Sequence, residues 1–467
     1  KNLLFFFFFT FTQNVEYSQF IARTAFLSEL QPEFTFRAKE IAASHTIQLS
    51  RMLHPSPLPK PVRRLRSQNA NSELATLLSP NISSSDFFGI AMSAPESIPE
   101  VQSSYLASTN PSGKLYYFGL HLASFTIDEL NSDPGQELVI YPVSKFLVLQ
   151  TFCPLTPFIR RVLEQIANNL GQKLLAAFLP KSDSNAMLPK LTNSMLADFE
   201  AKILIDFLRE LFEIEIPHRG ASNLIVPRIF SESNVTLLTQ NELDIFEASE
   251  IAANILSRIP SDDFIFILFA LLLEKKVIFV SEKIGRVTQA VSTFLSFIRP
   301  FNWPFPVIYS LPFDLISLIS CSVPAIFGIQ ANDQAFVNQL WHKYKNEEDI
   351  VWVLLDHDFI IVKEDTASSV IIPSHDDFTL KVKQIYSQTF KNSSMIPSLK
   401  LSTKEIESTL VTVCLPQREI KAKAERLSLN DLPPVSTGPT PPDSPPLELY
   451  KYIKEFFDDF VVKRLPK

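Results

Sequence analysis

Asp356-His357-Asp358 is the one compact cluster of titratable residues in the chain. Two carboxylates flanking an imidazole suit acid–base work or metal binding. The same three residues also separate two apolar runs, Ile350–Leu355 and Phe359–Val362, and Asp is a common turn residue. Consecutive extended residues point in alternating directions, so a polar turn is the expected reading. No other motif supplies covalent chemistry. The nine glycines form neither GxGxxG nor GxxxxGK followed by Ser or Thr, so the usual backbone cradles for a dinucleotide or a phosphate are missing. The seven histidines include no HExxH pair, no Cys/His set has zinc spacing, and there is no GxSxG elbow. No catalytic residue, metal ligand or cofactor is therefore assigned, and a binding or regulatory module is expected.

The 467 residues suffice for two or three cores, with 46% hydrophobic and 20% charged residues, a globular composition. A net charge of −7 offers a polyanion no whole-chain attraction, so nucleic acid is not expected as a partner. Three well-separated cysteines, Cys153, Cys321 and Cys414, build no disulfide framework and suit a reducing cytoplasm. The opening run KNLLFFFFFTFT is shorter than the about 20 apolar residues of a membrane-spanning helix and is read as a fragment boundary or gene-model artefact. Phe264–Leu273 is likewise too short to span and suits a buried helix.

These patterns require elements to carry them. Residues 1–85 are expected to be an uncertain or disordered extension, with an amphipathic helix near Phe20–Ala42. The extension also holds a Pro/Arg linker around Pro55–Arg66, whose cations could touch acidic lipid headgroups. Strand patterns occupy Asp86–Met92 and Glu137–Phe152. Val101–Thr109 and Lys114–Ser124 flank the turn Asn110–Gly113 and read as a hairpin. Thr156-Pro157 starts a helix whose stripe is Ile159, Leu163, Ile166 and Leu170, which turns Arg160, Arg161 and Glu164 away from the core. A second helix covers Met195–Phe212. From Asp262 onward, helices alternate with short apolar strands, which argues for an α/β layer with helices packed on a sheet. Helical patterns return at Asp377–Phe390, Lys404–Leu429 and Leu447–Arg464. Pro433–Pro446 holds seven prolines in fourteen residues and reads as unpacked.

The stretch Asp262–Gln330 resembles the central segment of DENN domains. The resemblance rests on Leu273-Glu274-Lys275-Lys276, Val277–Ser281, Pro300-Phe301-Asn302-Trp303, Leu311-Pro312 and Pro324–Gly328, in that order. Upstream, Lys114–Leu120, Tyr141–Ser144 and the helix at Phe158 are similar to the family's N-terminal, longin-like segment. The resemblance implies an α/β fold: a longin-like module at 86–180, a linker and helix at 181–219, a central module at 220–362, and a mostly helical part at 376–467 with the Pro-rich insert 433–446.

It also implies a guanine-nucleotide exchange factor for a Rab-type small GTPase in vesicle trafficking, cytoplasmic and peripheral on vesicle or endosomal membranes. Such a protein captures an open switch region and needs no acid or base of its own. The groove between the two α/β modules is the expected contact. Its candidate residues are Arg160, Arg161 and Glu164 on the first helix and Arg299 and Trp303 in the Pro-Phe-Asn-Trp turn. A GTPase-activating protein would instead use an arginine, with Arg160, Arg161 and Arg286 as candidates. A non-catalytic adaptor would use Pro439–Pro442, a PxxP ligand for an SH3-type partner.

Overall fold

In the computed structural model, strands β1 (Phe7–Gln13) and β2 (Phe20–Ala25) form an antiparallel pair. β3 (Arg63–Leu65) and β4 (Phe87–Ser93) are followed by two strands of 14 residues each, β5 (Lys114–Ile127) and β6 (Leu138–Thr151). The sheet order is β2-β1-β6-β5-β4, with β3 beside β6. Two expectations change here. The amphipathic helix near Phe20–Ala42 is replaced over Phe20–Ala25 by a strand, and the expected extension supplies three strands to the sheet. β5 pairs with β4 and β6, with Ser93 opposite Lys114, whereas Val101–Thr109 lies outside the described residues. The structure describes residues 7–13, 20–25, 47–53, 63–65, 82–93, 114–127, 138–151, 156–178, 192–213, 223–224, 235–236, 252–301, 303–331, 334–344, 347, 349–356, 359–362, 370, 376–389 and 445–464.

Helices α1 (Thr156–Phe178) and α2 (Asn193–Glu213) cover this sheet, α1 lying against β5 and β6. The stripe read from sequence is the buried one: Ile159, Leu163, Ile166 and Leu170 are all in the core, joined by Val162 and Leu174. Lys145 on β6 is buried and ion-paired with Glu200 on α2, which ties the helix layer to the sheet. A two-stranded ribbon, β7 (Asn223–Leu224) with β8 (Val235–Thr236), follows.

The chain divides into two compact units, Lys1–Thr239 and Gln240–Lys467. The second begins its core with α3 (Ser261–Leu272), in which every residue from Asp263 to Leu271 is buried. A helix that is apolar all round must be covered on all sides. Phe264 meets Phe294, Phe297 and Tyr386, and Phe269 meets Phe378. The helix ends in a Schellman arrangement: Glu274 N–H donates to Leu271 O and Lys275 N–H to Ala270 O, both at 2.9 Å. Glu274, at φ 56°, fills the left-handed position usually given to glycine.

The elements that follow are β9 (Lys276–Ser281), α4 (Ile284–Phe297), β10 (Val307–Ile308), a 3₁₀ segment (Phe313–Ser320), β11 (Ile326–Gln330), α5 (Gln334–Tyr344), β12 (Ile350–Leu354) and β13 (Phe359–Val362). The sheet order is β10-β11-β9-β12-β13, parallel except for the β12–β13 pair. The side chains of β9 alternate between two cores. Val277 and Phe279 join α3 and α4 on one face, and Ile278 and Val280 join α5 on the other. This is the α/β fold expected for the region. Gly328 is needed in β11 because a Cβ there would stand 2.2 Å from Tyr309 O.

α6 (Asp376–Thr389) and α7 (Pro445–Arg464) complete the first of these cores. Leu449, Tyr450, Ile453 and Phe457 of α7 are buried there, and Phe456 stands 4.3 Å from Phe378. Pro445 and Pro446, expected in unpacked chain, open this helix, where the missing amide costs nothing. The rest of the Pro-rich insert and Lys404–Leu429 lie outside the described residues.

Candidate functional site

Three of the five expected contact residues share one turn of α1. Arg160 is half-buried: its Nε donates to Glu164 Oε1 at 2.9 Å, and its guanidinium lies 5.9 Å from the centre of the Phe87 ring on β4. It thus fastens the helix to the sheet as well as presenting charge. Arg161 is half-buried and has no ion-pair partner among the described residues. The other two candidates belong to the second unit, after α4. Arg299 is exposed. Trp303 packs partly buried against the core with its ring edge-on to Phe305 at 5.3 Å, and its indole N–H is buried without a partner among the described residues. The structure therefore brings Arg160, Arg161 and Glu164 together on one helix of the first unit, and Arg299 and Trp303 belong to the segment after α4 in the second.

Two features of the second unit were not foreseen. At the carboxyl ends of the parallel strands, Asp356 accepts the Ser281 hydroxyl at 2.9 Å, the Glu282 N–H at 2.6 Å and the Arg286 guanidinium at 2.5 Å. Arg286, considered above as an arginine for hydrolysis, is thus committed to an internal ion pair. Asp356 lies in the turn after β12, as expected; His357 and Asp358 lie outside the described residues. The one sequence signal for this cluster is positional: each partner follows an apolar strand, or begins the helix after one.

At the opposite ends of the same strands, the buried Lys276 directs its ammonium onto the carbonyls of Ile319 at 2.6 Å and of Cys321. Burial pushes its pKa below the ordinary lysine range, against the raising influence of Cys321, Glu347 and Asp349. These carbonyls close the 3₁₀ segment, so one side chain from β9 fixes its end. That segment and the residues after it expose Phe313 (56%), Leu315, Leu318 and Val323. Half of the eight exposed large apolar side chains among the described residues lie on these eleven positions. An exposed apolar group of this kind is a candidate protein contact. In sequence it reads as more core.

Residues 154–358 match the family model of the DENN (AEX-3) domain. The matched segment is similar to a DENN domain and makes up less than half of the chain. It runs from just before α1 to just after Asp356 and so holds all five expected contact residues, the Asp356 cluster, Lys276 and the apolar ridge. The β1–β6 sheet, α6 and α7 lie outside the matched residues. The chain is 23% identical over 140 residues to DENN domain-containing protein 2B of mouse and of human, which is 30% of this chain and 12% of each relative. It thus spans about an eighth of the length of the curated relatives it matches. No helix among the described residues is long and apolar enough to cross a membrane, and no group of three His, Cys, Asp or Glu among them could hold a metal ion.

Proposed function

We propose that the chain is a guanine-nucleotide exchange factor for a Rab-type small GTPase, releasing GDP by capturing an open switch region. The observation that carries this reading is the DENN match over 154–358, a domain whose members mostly act in this way. A GTPase that binds nucleotide at sub-nanomolar Kd holds it with about −12 kcal/mol or more, so spontaneous release is slow. A partner that prefers the open switches weakens the nucleotide, and the nucleotide weakens that partner by the same factor. The required part is a shaped surface. In this reading the candidate contacts are the α1 patch (Arg160, Arg161, Glu164) in the first unit and, in the second, the Arg299–Trp303 turn and the ridge Phe313–Val323. The engagement of Arg160 with Glu164 and Phe87, and of Arg286 with Asp356, weighs against either of them as an inserted arginine for hydrolysis and leaves Arg161 as the candidate for that alternative.

The same reading takes 86–180 as a longin-like module, 181–219 as linker and helix, 220–362 as the central module and 376–467 as the downstream helical part. It places the protein in the cytoplasm, peripheral on vesicle or endosomal membranes. The basic linker around Pro55–Arg66 would touch the membrane, and Pro439–Pro442 would bind an SH3-type partner. The test is to mix the full chain with a panel of Rab-type GTPases loaded with fluorescent GDP. Accelerated release from at least one supports exchange. Accelerated hydrolysis with unchanged release assigns GTPase activation instead, and binding without either assigns an adaptor.

A further inference from the structure

Open α/β sheets receive ligands outside the carboxyl ends of parallel strands, at the point where strand order reverses. In the second unit that point is the end of β9. β11 lies on one side of it and β12 on the other, α4 on one face and α5 on the opposite face. Here the strand ends are closely drawn together. Ala331 N–H donates to Ser281 O at 2.9 Å, and Leu355 N–H to Val280 O at 3.0 Å. Three donors from the end of β9 to the first turn of α4 meet the Asp356 carboxylate: the Ser281 hydroxyl, the Glu282 amide and the Arg286 guanidinium. The Ser281 hydroxyl in turn accepts the Lys283 amide at 3.1 Å, while Lys283 gives α4 no side-chain cap of its own. What remains is a small, partly open recess of about 20 Å³ lined by Val280, Ser281, Glu282, Ala331, Val337, Leu354 and Asp356. That volume holds about one water molecule.

We propose that this is a ligand crevice closed from within: Asp356 occupies the place of an anionic ligand group, and the clasp of Ser281, Glu282 and Arg286 on it locks the end of β12 to the start of α4. The donor set is the one that would receive a small oxyanion, namely a hydroxyl, a backbone amide and a guanidinium. The chain fills it with a carboxylate brought from about seventy residues downstream by the parallel register of β12 on β9. Two consequences follow. The module takes up no nucleotide or phosphate itself. Removal of the Asp356 carboxylate uncovers an oxyanion site whose affinity depends on Arg286. Neither consequence depends on the exchange reading.

The experiment is thermal unfolding of the full chain, as wild type, Asp356→Ala, Arg286→Ala and the double variant, each titrated with formate, inorganic phosphate and GDP. Wild type is expected to show no saturable shift with any of the three. Asp356→Ala should lower Tm by about 5 °C, and formate should restore part of that loss saturably. Arg286→Ala in the same chain should abolish the recovery, and the double variant should lose less than the sum of the singles. The proposal is overturned if formate raises Tm of Asp356→Ala no more than that of wild type, if the losses simply add, or if wild type binds GDP or phosphate saturably. Should Asp356→Ala fail to fold, Asp356→Asn paired with Arg286→Ala reads the same coupling, and additive losses again overturn the proposal.

Discussion

The two ends of the parallel sheet both carry a charged side chain drawn in from solvent, and they satisfy it in different ways. At the carboxyl end, Asp356 is met by an opposite charge, Arg286, with side-chain exposures of 17% and 24%. At the amino end, Lys276 is met by two neutral backbone carbonyls. An ion pair can be broken from either side and its partner replaced. An ammonium held by carbonyls is tied to the path of the main chain itself. The end at which open α/β folds usually take ligands is thus shut, and the buried lysine at the other end fixes a segment that exposes apolar side chains. This exchange of roles suits a module whose partner is a protein surface rather than a small molecule.

Lys276→Met is the change that should do most damage. It leaves the carbonyls of Ile319 and Cys321 without their buried donor and should cost about 3 kcal/mol, measured by denaturant unfolding of the full chain. The same variant has a pH signature. Because burial lowers the Lys276 pKa in the folded chain, the unfolded chain holds more protons between that lowered value and about 10.4. Stability of wild type relative to Lys276→Met should therefore rise with pH through that window. The neutral amine still has two N–H bonds for two carbonyls, so the contact survives deprotonation. A difference that falls with pH would show that the charged form is the favoured one.

Asp356→Ala should cost less, about 2 kcal/mol, because its pair is partly solvated and Arg286 can turn toward water. A loss equal to that of Lys276→Met would erase the contrast between the two ends. Glu274→Gly should act in the opposite direction, stabilising by about 0.5–1 kcal/mol, since it relieves a left-handed residue at the end of α3. The smallest effect on stability, within about 0.5 kcal/mol, is expected for Leu315→Asp with Leu318→Asp, because both side chains are exposed. That pair should nevertheless slow GDP release about tenfold. Unchanged release with unchanged folding would remove the ridge from the contact surface.

Much of the second unit was legible in the residues. Its helices announce themselves by apolar stripes, and its strands by short apolar runs between them, so α3 to β12 fall within a few residues of expectation. The first sheet was legible only in part. KNLLFFFFFTFT alternates only at its end, Phe9–Thr12, after a uniform apolar run that marks no strand face, yet Phe7–Thr12 pairs with β6. The turn at Asn110–Gly113 points to a hairpin with the nearest apolar run, Val101–Thr109, whereas β5 pairs with β4, twenty positions (94 to 113) away along the chain. The two lysines after α3 read alike as the charged end of an apolar run. Lys276 is the buried one, and Lys275 reaches Asp349 at 2.5 Å. Spacing along the chain also hides the Asp356 clasp, because Ser281 and Asp356 are 75 positions apart and meet only through the register of β12 on β9. Local pattern specifies elements. Long-range register assembles the sites.

The exchange reading is tested most directly by release of fluorescent GDP from a panel of Rab-type GTPases, in the presence of the full chain and of its Arg161→Ala variant. Arg161 is the cleaner probe because Arg160 also fastens α1 to Phe87. The expected result is accelerated release from at least one GTPase, reduced several-fold by Arg161→Ala with no change in Tm. Failure to bind any GTPase of the panel, with the chain folded, would contradict it.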